Sequence, residues 1–189
     1  MSYSPPYSVI LADPPWTYRD KARSGQRGVA FKYPTMSLDD IQQLPVGSIA
    51  ADDSVLFCWV TFPLLKEGIA TMEAWGFSYK TLGFCWVKLN PKAGTPFWGM
   101  GNFTRANPEI CLLGVKGKPK RVHADVHSLV SSPIQVHSKK PTEVHRRIDR
   151  LMGDVPRIEL FAREAVDGWD AAGHGIDGRD MHDVLTDMI

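Results

Sequence analysis

Five short segments of almost unbroken hydrophobicity set the strongest constraint on the fold of this chain. They span residues 7–12, 54–60, 79–87, 109–115 and 156–162. Strands that are covered on both faces have such apolar runs, as in a mostly parallel sheet. Amphipathic helical patterns lie between them, at residues 37–43, 63–75 and 141–152. Strands that alternate with helices predict a three-layer α/β domain. The length of 189 residues suits a single domain over residues 1–189, at about 150 residues per domain.

The cysteines, the histidines and the hydropathy profile exclude several classes of protein. Cys58, Cys85 and Cys111 form an odd set without CxxC spacing, which argues against a disulfide scaffold or a zinc ribbon. His123 and His127 are four residues apart but lack a third ligand with suitable spacing, so we expect no metal site. No basic leader with an apolar core opens the chain, and no stretch approaches the roughly 18 apolar residues of a membrane helix. We therefore expect a cytoplasmic protein without a membrane partner.

The net charge of the protein is close to zero, but the charged residues are distributed unevenly along the chain. With 22 basic and 21 acidic residues, the formal net charge is +1, which excludes a uniformly basic coat for nucleic acid. Residues 1–153 nevertheless carry 19 basic and 12 acidic side chains, whereas residues 154–189 carry 3 and 9. This distribution predicts one basic and one acidic surface, so a nucleic-acid partner is compatible with the composition.

The tetrapeptide Asp13-Pro14-Pro15-Trp16 is the motif that points to chemistry. It directly follows the first apolar run, and open α/β folds bind ligands at the carboxyl ends of their strands. Two successive prolines stiffen the turn and remove N–H donors, which leaves carbonyl acceptors beside the Asp13 carboxylate. These acceptors suit an exocyclic amine on a flat base, with Trp16 stacked on that base. The tetrapeptide by itself is equally compatible with a tight turn around a packed tryptophan.

Two long loops, at residues 17–36 and 90–107, interrupt the alternation of strands and helices. Loops of this length in a compact domain are usually functional or disordered. In the second loop, which is rich in glycine and aromatic residues, Trp98 and Phe103 are the expected contacts to nucleic acid, and packing over a bound cofactor is the alternative. A solvated surface is the alternative interpretation of the cations in the first loop. The five cations that we expect to contact phosphates are Arg19, Lys21, Arg23, Arg27 and Lys32.

Several separate blocks of this sequence resemble the DPPW-type adenine N(6)-methyltransferases, the family named after the S-adenosylmethionine-binding subunit of the eukaryotic mRNA adenosine methyltransferase. The similarity is greatest to the short bacterial and phage members, and it covers nearly the whole chain. The resemblance implies a Rossmann-like S-adenosylmethionine-dependent methyltransferase fold with a permuted motif order, catalytic motif first and cofactor-binding motif last. The blocks, in the family's order, are ADPPW (12–16), YPTMSLDDI (33–41), LFCWVT (56–61), WGF then WVK (75–88), FWGMGNFTRANPEICLLGVKGKPKR (97–121), HSKKPTEV (137–144) and IELFAR with GWD (158–170).

The resemblance also implies a reaction, which is in-line methyl transfer from S-adenosylmethionine to the exocyclic amine of adenine in DNA. The adenine would have to be flipped out of the duplex to reach the site. The implied location is the cytoplasm of a bacterium or of a phage-infected host. The expected catalytic residues are Asp13, Pro14, Pro15, Trp16 and Tyr33. The expected cofactor-binding residues are Asp13, Asn107, Ser138, Lys140, Glu159, Phe161, Arg163, His174 and Gly175.

Three alternatives stay open at this point. In the first, the chain is a catalytically weak nucleic-acid-binding subunit of a heterodimer, since the family includes partners with degenerate sites. In the others, the same chemistry acts on RNA or on cytosine, although by family likeness an aspartate in the first motif position favours adenine. A homodimer or a heterodimer is compatible with the resemblance. Within these residues we expect no large separate target-recognition domain.

Overall fold

A computed structural model describes residues 3–16, 36–101, 103–135 and 139–189 of the chain. The strands of the described residues are β1 (Tyr7–Ala12), β2 (Ala50–Val60), β3 (Ser78–Leu89), β4 (Glu109–Lys116), β5 (Leu129–Pro133), β6 (Arg157–Leu160) and β7 (Asp170–Ala172). The α-helices are α1 (Leu38–Gln43), α2 (Leu65–Ala74), α3 (Glu143–Met152), α4 (His174–Asp177) and α5 (Met181–Thr186). Short 3-10 turns at Val46–Ser48 and Phe62–Leu64 precede β2 and α2.

The strands form one sheet with the order β5-β3-β4-β2-β1-β6-β7. Neighbouring strands are parallel, except that β4 is antiparallel to both β2 and β3. The carboxyl ends of β1, β2, β3 and β6 therefore meet at one edge of the sheet, together with the first residue of β4. We call this the carboxyl edge. The predicted, mostly parallel sheet is confirmed.

Helices cover both faces of the sheet, and each face has its own hydrophobic core. One core combines residues of α1, α2 and α5 with alternate strand residues, among them Ile41, Met72, Val184, Ile10, Leu56 and Leu160. The other combines residues of α3 with the intervening strand residues, among them Val144, Ile148, Leu11 and Phe57. Consecutive residues such as Ile10 and Leu11 thus face different cores, which explains the near-continuous apolar runs. The predicted three-layer α/β architecture is confirmed.

The predicted helices are present, with small shifts at their ends. The Ser37 hydroxyl caps α1 by accepting from the Asp40 N–H at 3.1 Å, and serine is a favoured residue at this position. Helix α2 begins two residues after Pro63, because residues 62–64 form the 3-10 turn. Helix α3 ends at Met152 and is capped by Gly153, whose φ of 78° lies in the region that favours glycine.

Four short elements, β5, β7, α4 and α5, are not predicted from the sequence. Each has six residues or fewer, too few to display a hydrophobic period. The cysteines lie in β2, β3 and β4, where Cys58 and Cys111 are buried and Cys85 is half-buried; all three are free thiols. Among the described residues, no helix is long and apolar enough to cross a membrane. The same part of the chain holds no cluster of three or more side chains of the kinds that bind metals.

Candidate active site

The turn that follows β1 carries the motif Asp13-Pro14-Pro15-Trp16 at the carboxyl edge. The Trp16 N–H donates to the Pro14 carbonyl at 2.8 Å, so this oxygen keeps one lone pair for a further donor. The Trp16 side chain is only 7% exposed, and its Nε1 donates to the Trp59 carbonyl of β2 at 2.9 Å. Trp16 thus anchors the turn to β2. The sequence suggests a Trp16 ring that is open to a stacked base, whereas the structure buries this ring. Stacking of a base on Trp16 stays a prediction.

Asp13 forms an ion pair with Lys140, although the two residues are 127 positions apart in the sequence. The Lys140 Nζ lies 2.9 Å from Asp13 Oδ2, and the two side chains are 15% and 20% exposed. Burial raises the pKa of Asp13 above its ordinary value, and the charge of Lys140 opposes that rise. Lys140 therefore favours the ionised form of Asp13, whereas burial disfavours that form.

Lys140 is shared with a second carboxylate. Its Nζ lies 3.2 Å from Glu109 Oε2, and Glu109 Oε1 lies 2.5 Å from the Nζ of Lys88. We call Lys88, Glu109, Lys140 and Asp13 the charge chain. Burial alone would raise the pKa of Glu109, but the two lysines outweigh it and hold this pKa below its ordinary value. Burial alone would lower the pKa of Lys140, but Asp13 and Glu109 outweigh it and raise this pKa.

Positive and negative side chains alternate along the charge chain, so each of its buried charges has an opposite partner within hydrogen-bonding distance. Two tryptophans add to the positioning of its lysines. The Lys140 Nζ lies 5.6 Å from the centroid of the Trp59 ring, and the Lys88 Nζ lies 5.3 Å from that of Trp86. Both distances are in the range of cation–π attraction. The ammonium groups are therefore held by rings of the sheet as well as by carboxylates.

A second turn, at the carboxyl end of β6, lies beside Asp13. The Asp13 N–H donates to the Leu160 carbonyl at 3.4 Å. The next residue, Phe161, has a φ of 61°, which is an uncommon conformation for a residue other than glycine. Backbone conformations of this kind are held in place by surrounding structure and cluster at functional sites.

Two glycines pack the start of α4 against this turn. A Cβ on Gly173 would lie 2.3 Å from the Ala162 carbonyl oxygen, and a Cβ on Gly175 would lie 2.7 Å from the Arg163 backbone. Only glycine permits this approach. His174 lies between the two glycines and is exposed, as is Arg163. The structure therefore brings four predicted cofactor residues together at the strand that neighbours β1; they are Phe161, Arg163, His174 and Gly175.

Two other predicted cofactor residues make structural contacts instead. Glu159 Oε2 lies 2.8 Å from Nε2 of His145, on the face of the sheet that α3 covers. Asn107 Oδ1 accepts from the Lys88 N–H at 3.0 Å, and its Nδ2 donates to the carbonyls of Lys88 and Phe97 at 2.9 and 2.5 Å. The two bonds that Nδ2 donates use both amide hydrogens of Asn107. A cofactor contact of Glu159 or Asn107 stays a prediction.

The remaining predicted site residues fall into two groups. Trp98 and Phe103 lie in the loop that joins the end of β3 to the start of β4 at the carboxyl edge, and they are 64% and 103% exposed. The others lie outside the described residues; they are Tyr33, Ser138, Arg19, Lys21, Arg23, Arg27 and Lys32.

Comparison with known protein families assigns the chain to one of them. The family model described as MT-A70 matches residues 7–175, a range that contains both turns and the whole charge chain. This chain belongs to the MT-A70 family. Membership confirms the predicted resemblance and agrees with the mixed, mostly parallel α/β sheet. It also confirms the predicted activity class, a methyltransferase of the adenine N(6) type that uses S-adenosylmethionine.

Individual relatives of this MT-A70 chain differ in length. The Type II methyltransferase M.MunI of Mycoplasma sp is 37% identical over 187 residues, and the match covers 88% of this chain and 76% of that protein. The N(6)-adenosine-methyltransferase MT-A70-like of Arabidopsis thaliana is 30% identical, with 91% of this chain and 24% of that protein covered. The human N(6)-adenosine-methyltransferase catalytic subunit METTL3 is 28% identical, with 97% and 30% covered. The chain thus spans less than a third of these two eukaryotic proteins.

Lys88 and Glu109 complete the candidate site of this MT-A70 chain, and neither is predicted from the sequence. The available signal is their position, because Lys88 follows the apolar run of β3 and Glu109 is the first residue of the apolar strand β4. A charged residue at the border of an apolar strand is common, so the border alone does not identify a site. The antiparallel pairing of β3 and β4 is what brings the two side chains together.

Proposed function

We propose that this chain transfers a methyl group from S-adenosylmethionine to the exocyclic amine of adenine in DNA, as one domain over residues 1–189. The observation that carries the proposal is the Asp13 carboxylate, which Lys140 holds at the carboxyl edge beside the rigid Pro14 carbonyl. The Mycoplasma relative, named a Type II methyltransferase, supports a DNA substrate and is matched over 76% of its length. The relatives named N(6)-adenosine-methyltransferases support adenine as the base.

The turn after β1 supplies two acceptors for an amine. The N–H groups of the adenine amine would donate to the Asp13 carboxylate and to the remaining lone pair of the Pro14 carbonyl. Both bonds draw on the amine hydrogens and localise the lone pair of the nitrogen, which makes that nitrogen a better nucleophile. Positioning of this sort can lower the barrier of an in-line reaction by about 7–11 kcal/mol. Asp13 is the stronger acceptor when ionised, which is the form that Lys140 favours.

The residues at the carboxyl edge fit S-adenosylmethionine, which supplies an electrophilic methyl group when bound. Lys140 and Asp13 present a cation and a carboxylate side by side, as the zwitterionic methionine portion of the cofactor requires. We propose that the Lys140 ammonium binds the carboxylate of the cofactor, while Glu109 holds that ammonium at the carboxyl edge. The turn residues Phe161, Arg163, His174 and Gly175 would hold the remainder, with Ser138, Asn107 and Glu159 as further proposed contacts.

The segment between Trp16 and Met36 would bind the phosphates of the substrate. These two residues form a parallel bridge, so the segment starts and ends beside the motif. Phosphate contacts give affinity and salt dependence without reading the sequence. Tyr33 belongs to the same segment, at the proposed rim of the site. The proposed cations are Arg19, Lys21, Arg23, Arg27 and Lys32.

The proposed setting is the cytoplasm of a bacterium or of a phage-infected host, and a homodimer or heterodimer is compatible with it. The test is methyl transfer from labelled S-adenosylmethionine to DNA and RNA oligonucleotides of matched sequence, with the product base identified by mass spectrometry. We expect N6-methyladenine in DNA, and about a hundredfold slower transfer for Asp13→Asn, as for other removals of one preorganised polar contact. Asp39→Asn, at an exposed position of α1, is the control and should transfer normally.

Other outcomes of this assay would support the alternatives. Transfer to RNA alone would contradict the DNA substrate, and a methylated cytosine would contradict the base. Cofactor binding without transfer to any oligonucleotide would favour a subunit that needs a catalytic partner.

A further inference from the structure

The connection between β3 and β4, residues 90–107, is a braced loop that folds back on itself twice. Pro96 pairs with Leu89, and Gly99 pairs with Ala106. The Gly99 N–H donates to the Ala106 carbonyl at 2.7 Å, and the Asn107 amide ties the start of the loop to its end. We call this segment the aromatic loop. Its described residues, 90–101 and 103–107, are held at the carboxyl edge by these hydrogen bonds.

The aromatic loop presents large apolar side chains to solvent. Trp98 is 64% exposed, Met100 is 88% exposed and Phe103 is 103% exposed. Each of the other five tryptophans of the chain is at most 7% exposed. Single exposed apolar residues are ordinary, but three within six residues on a braced loop mark a contact surface.

The position and charge of the aromatic loop favour nucleic acid as the partner on this surface. Residues 90–107 include the cations Lys92 and Arg105 and no acidic residue. Asn107 holds the backbone of Lys88, whose side chain belongs to the charge chain. The loop is therefore built onto the element that carries the candidate chemistry. Aromatic side chains beside cations are the combination with which proteins bind unstacked bases and their phosphates.

We propose that Trp98 and Phe103 stack on the bases next to the target adenine and so stabilise DNA from which that adenine has been flipped out. The inference rests on the proposed function, because only a buried amine in a duplex requires extrusion. Flipping removes stacking from the neighbouring bases, and aromatic side chains can replace it. Every base has a π-face, so this contact tolerates any sequence around the adenine.

The exposed tryptophan provides a direct test of stacking that needs no catalysis. In the free protein, iodide should quench mainly Trp98, because the other tryptophans are buried. Addition of a mixed-sequence single-stranded deoxyoligonucleotide should shield Trp98 from iodide, and Trp98→Phe should lack the quenchable component. Oligonucleotide binding is followed independently through the anisotropy of a label on the DNA. Bound DNA that leaves Trp98 fully open to iodide would overturn the proposal.

A second test separates extrusion from chemistry. Methyl transfer by Trp98→Ala and Phe103→Ala is compared on a duplex and on a single strand that contains the same adenine. We expect kcat/KM to fall about tenfold on the duplex, in line with the loss of one stacked base, and to fall less on the single strand. Tyr79→Ala is the matched control, since Tyr79 is a 41% exposed aromatic residue at the opposite end of β3. Equal losses on both substrates, or none, would count against a role in flipping.

Two results would assign the surface or the activity differently. If Trp98 is shielded without DNA and becomes accessible on dilution, with a matching change in sedimentation, the surface joins two copies of the chain and the proposal is overturned. If no adenine is methylated at all, the proposed function fails, while the iodide experiment still decides whether Trp98 stacks on bases. The two failures are therefore distinguishable.

Discussion

Replacement of Lys140 by methionine removes the cation at the centre of the charge chain while keeping most of the side-chain volume. The lost contacts are those to Asp13 at 2.9 Å and to Glu109 at 3.2 Å. With an effective dielectric constant of about 20, each contact corresponds to about 5–6 kcal/mol of Coulomb energy. The desolvation of the buried groups offsets part of this. Because the three side chains are only 15% to 20% exposed, we expect Lys140→Met to lower the free energy of unfolding by about 3–5 kcal/mol, as when a buried pair loses one partner.

The same substitution should change the dependence on pH. Burial already raises the pKa of Asp13, and without Lys140 this pKa should rise further. An acid whose pKa is higher in the folded state holds more protons there, so the variant should lose stability as the pH rises from the unfolded towards the folded pKa of Asp13. Methyl transfer is faster with ionised Asp13 in the proposed reaction, because the carboxylate is the stronger acceptor. The acidic limb of the kcat/KM profile should therefore move to higher pH in Lys140→Met.

Urea unfolding at several pH values and the pH profile of kcat/KM measure these effects. Lys139→Met is the matched control, because Lys139 pairs with Glu164 at the surface, where the side chains are 35% and 54% exposed. An exposed pair of this kind contributes at most about 1 kcal/mol. The reasoning is refuted if Lys140→Met unfolds within about 1 kcal/mol of the wild type and its acidic limb does not move.

Three further substitutions test other parts of the structure. Glu109→Gln should flatten the acid side of the stability profile. The lowered pKa of Glu109 gives stability that is present above the ordinary pKa of 4.5 and is lost as the pH falls through the pKa of the folded state. An unchanged urea profile on the acid side would contradict this. Gly173→Ala should lose about 1–3 kcal/mol through overpacking, since its Cβ would meet the Ala162 carbonyl at 2.3 Å. It should also weaken S-adenosylmethionine binding in calorimetry, and normal values of both would speak against the tight turn. Tyr7→Phe should lose about 1.5–3 kcal/mol, because the Tyr7 hydroxyl donates to Asp170 at 2.5 Å. Its kcat should stay normal, since this pair lies at the amino ends of β1 and β7, and a large fall in kcat would place the pair in the active site.

Much of the fold can be predicted from local patterns. The apolar runs identify the five longer or more buried strands because residues on both faces of these strands pack into the two cores, as Ile10 and Leu11 do. The position of Asp13 at the carboxyl edge follows from the same pattern, since it directly succeeds a buried strand. Strand β7 has three residues and owes its existence to its pairing with β6, which no local pattern records.

The candidate site is less accessible to sequence reasoning because its contacts are long-range. Asp13 and Lys140 are 127 residues apart, and their pairing depends on how the whole sheet is assembled. Glu109 can be recognised only once β4 is known to run against its neighbours. Trp16 packs into a hydrophobic core and donates to the Trp59 carbonyl, and the motif alone does not reveal either contact. Residue types can therefore suggest the chemistry, whereas partners and exposure require the topology.

The reversed direction of β4 explains both the charge chain and the aromatic loop. In a fully parallel sheet, Glu109 would begin its strand at the opposite edge from Asp13, and the connection after β3 would have to cross the sheet. Because β4 is antiparallel to β2 and β3, its first residue instead lies at the edge where β1 and β3 end. Glu109 can then join Lys88 to Lys140, and residues 90–107 must form their loop at that same edge. One antiparallel strand thus places the charges that position Asp13 and the exposed aromatic side chains on the same side of the molecule.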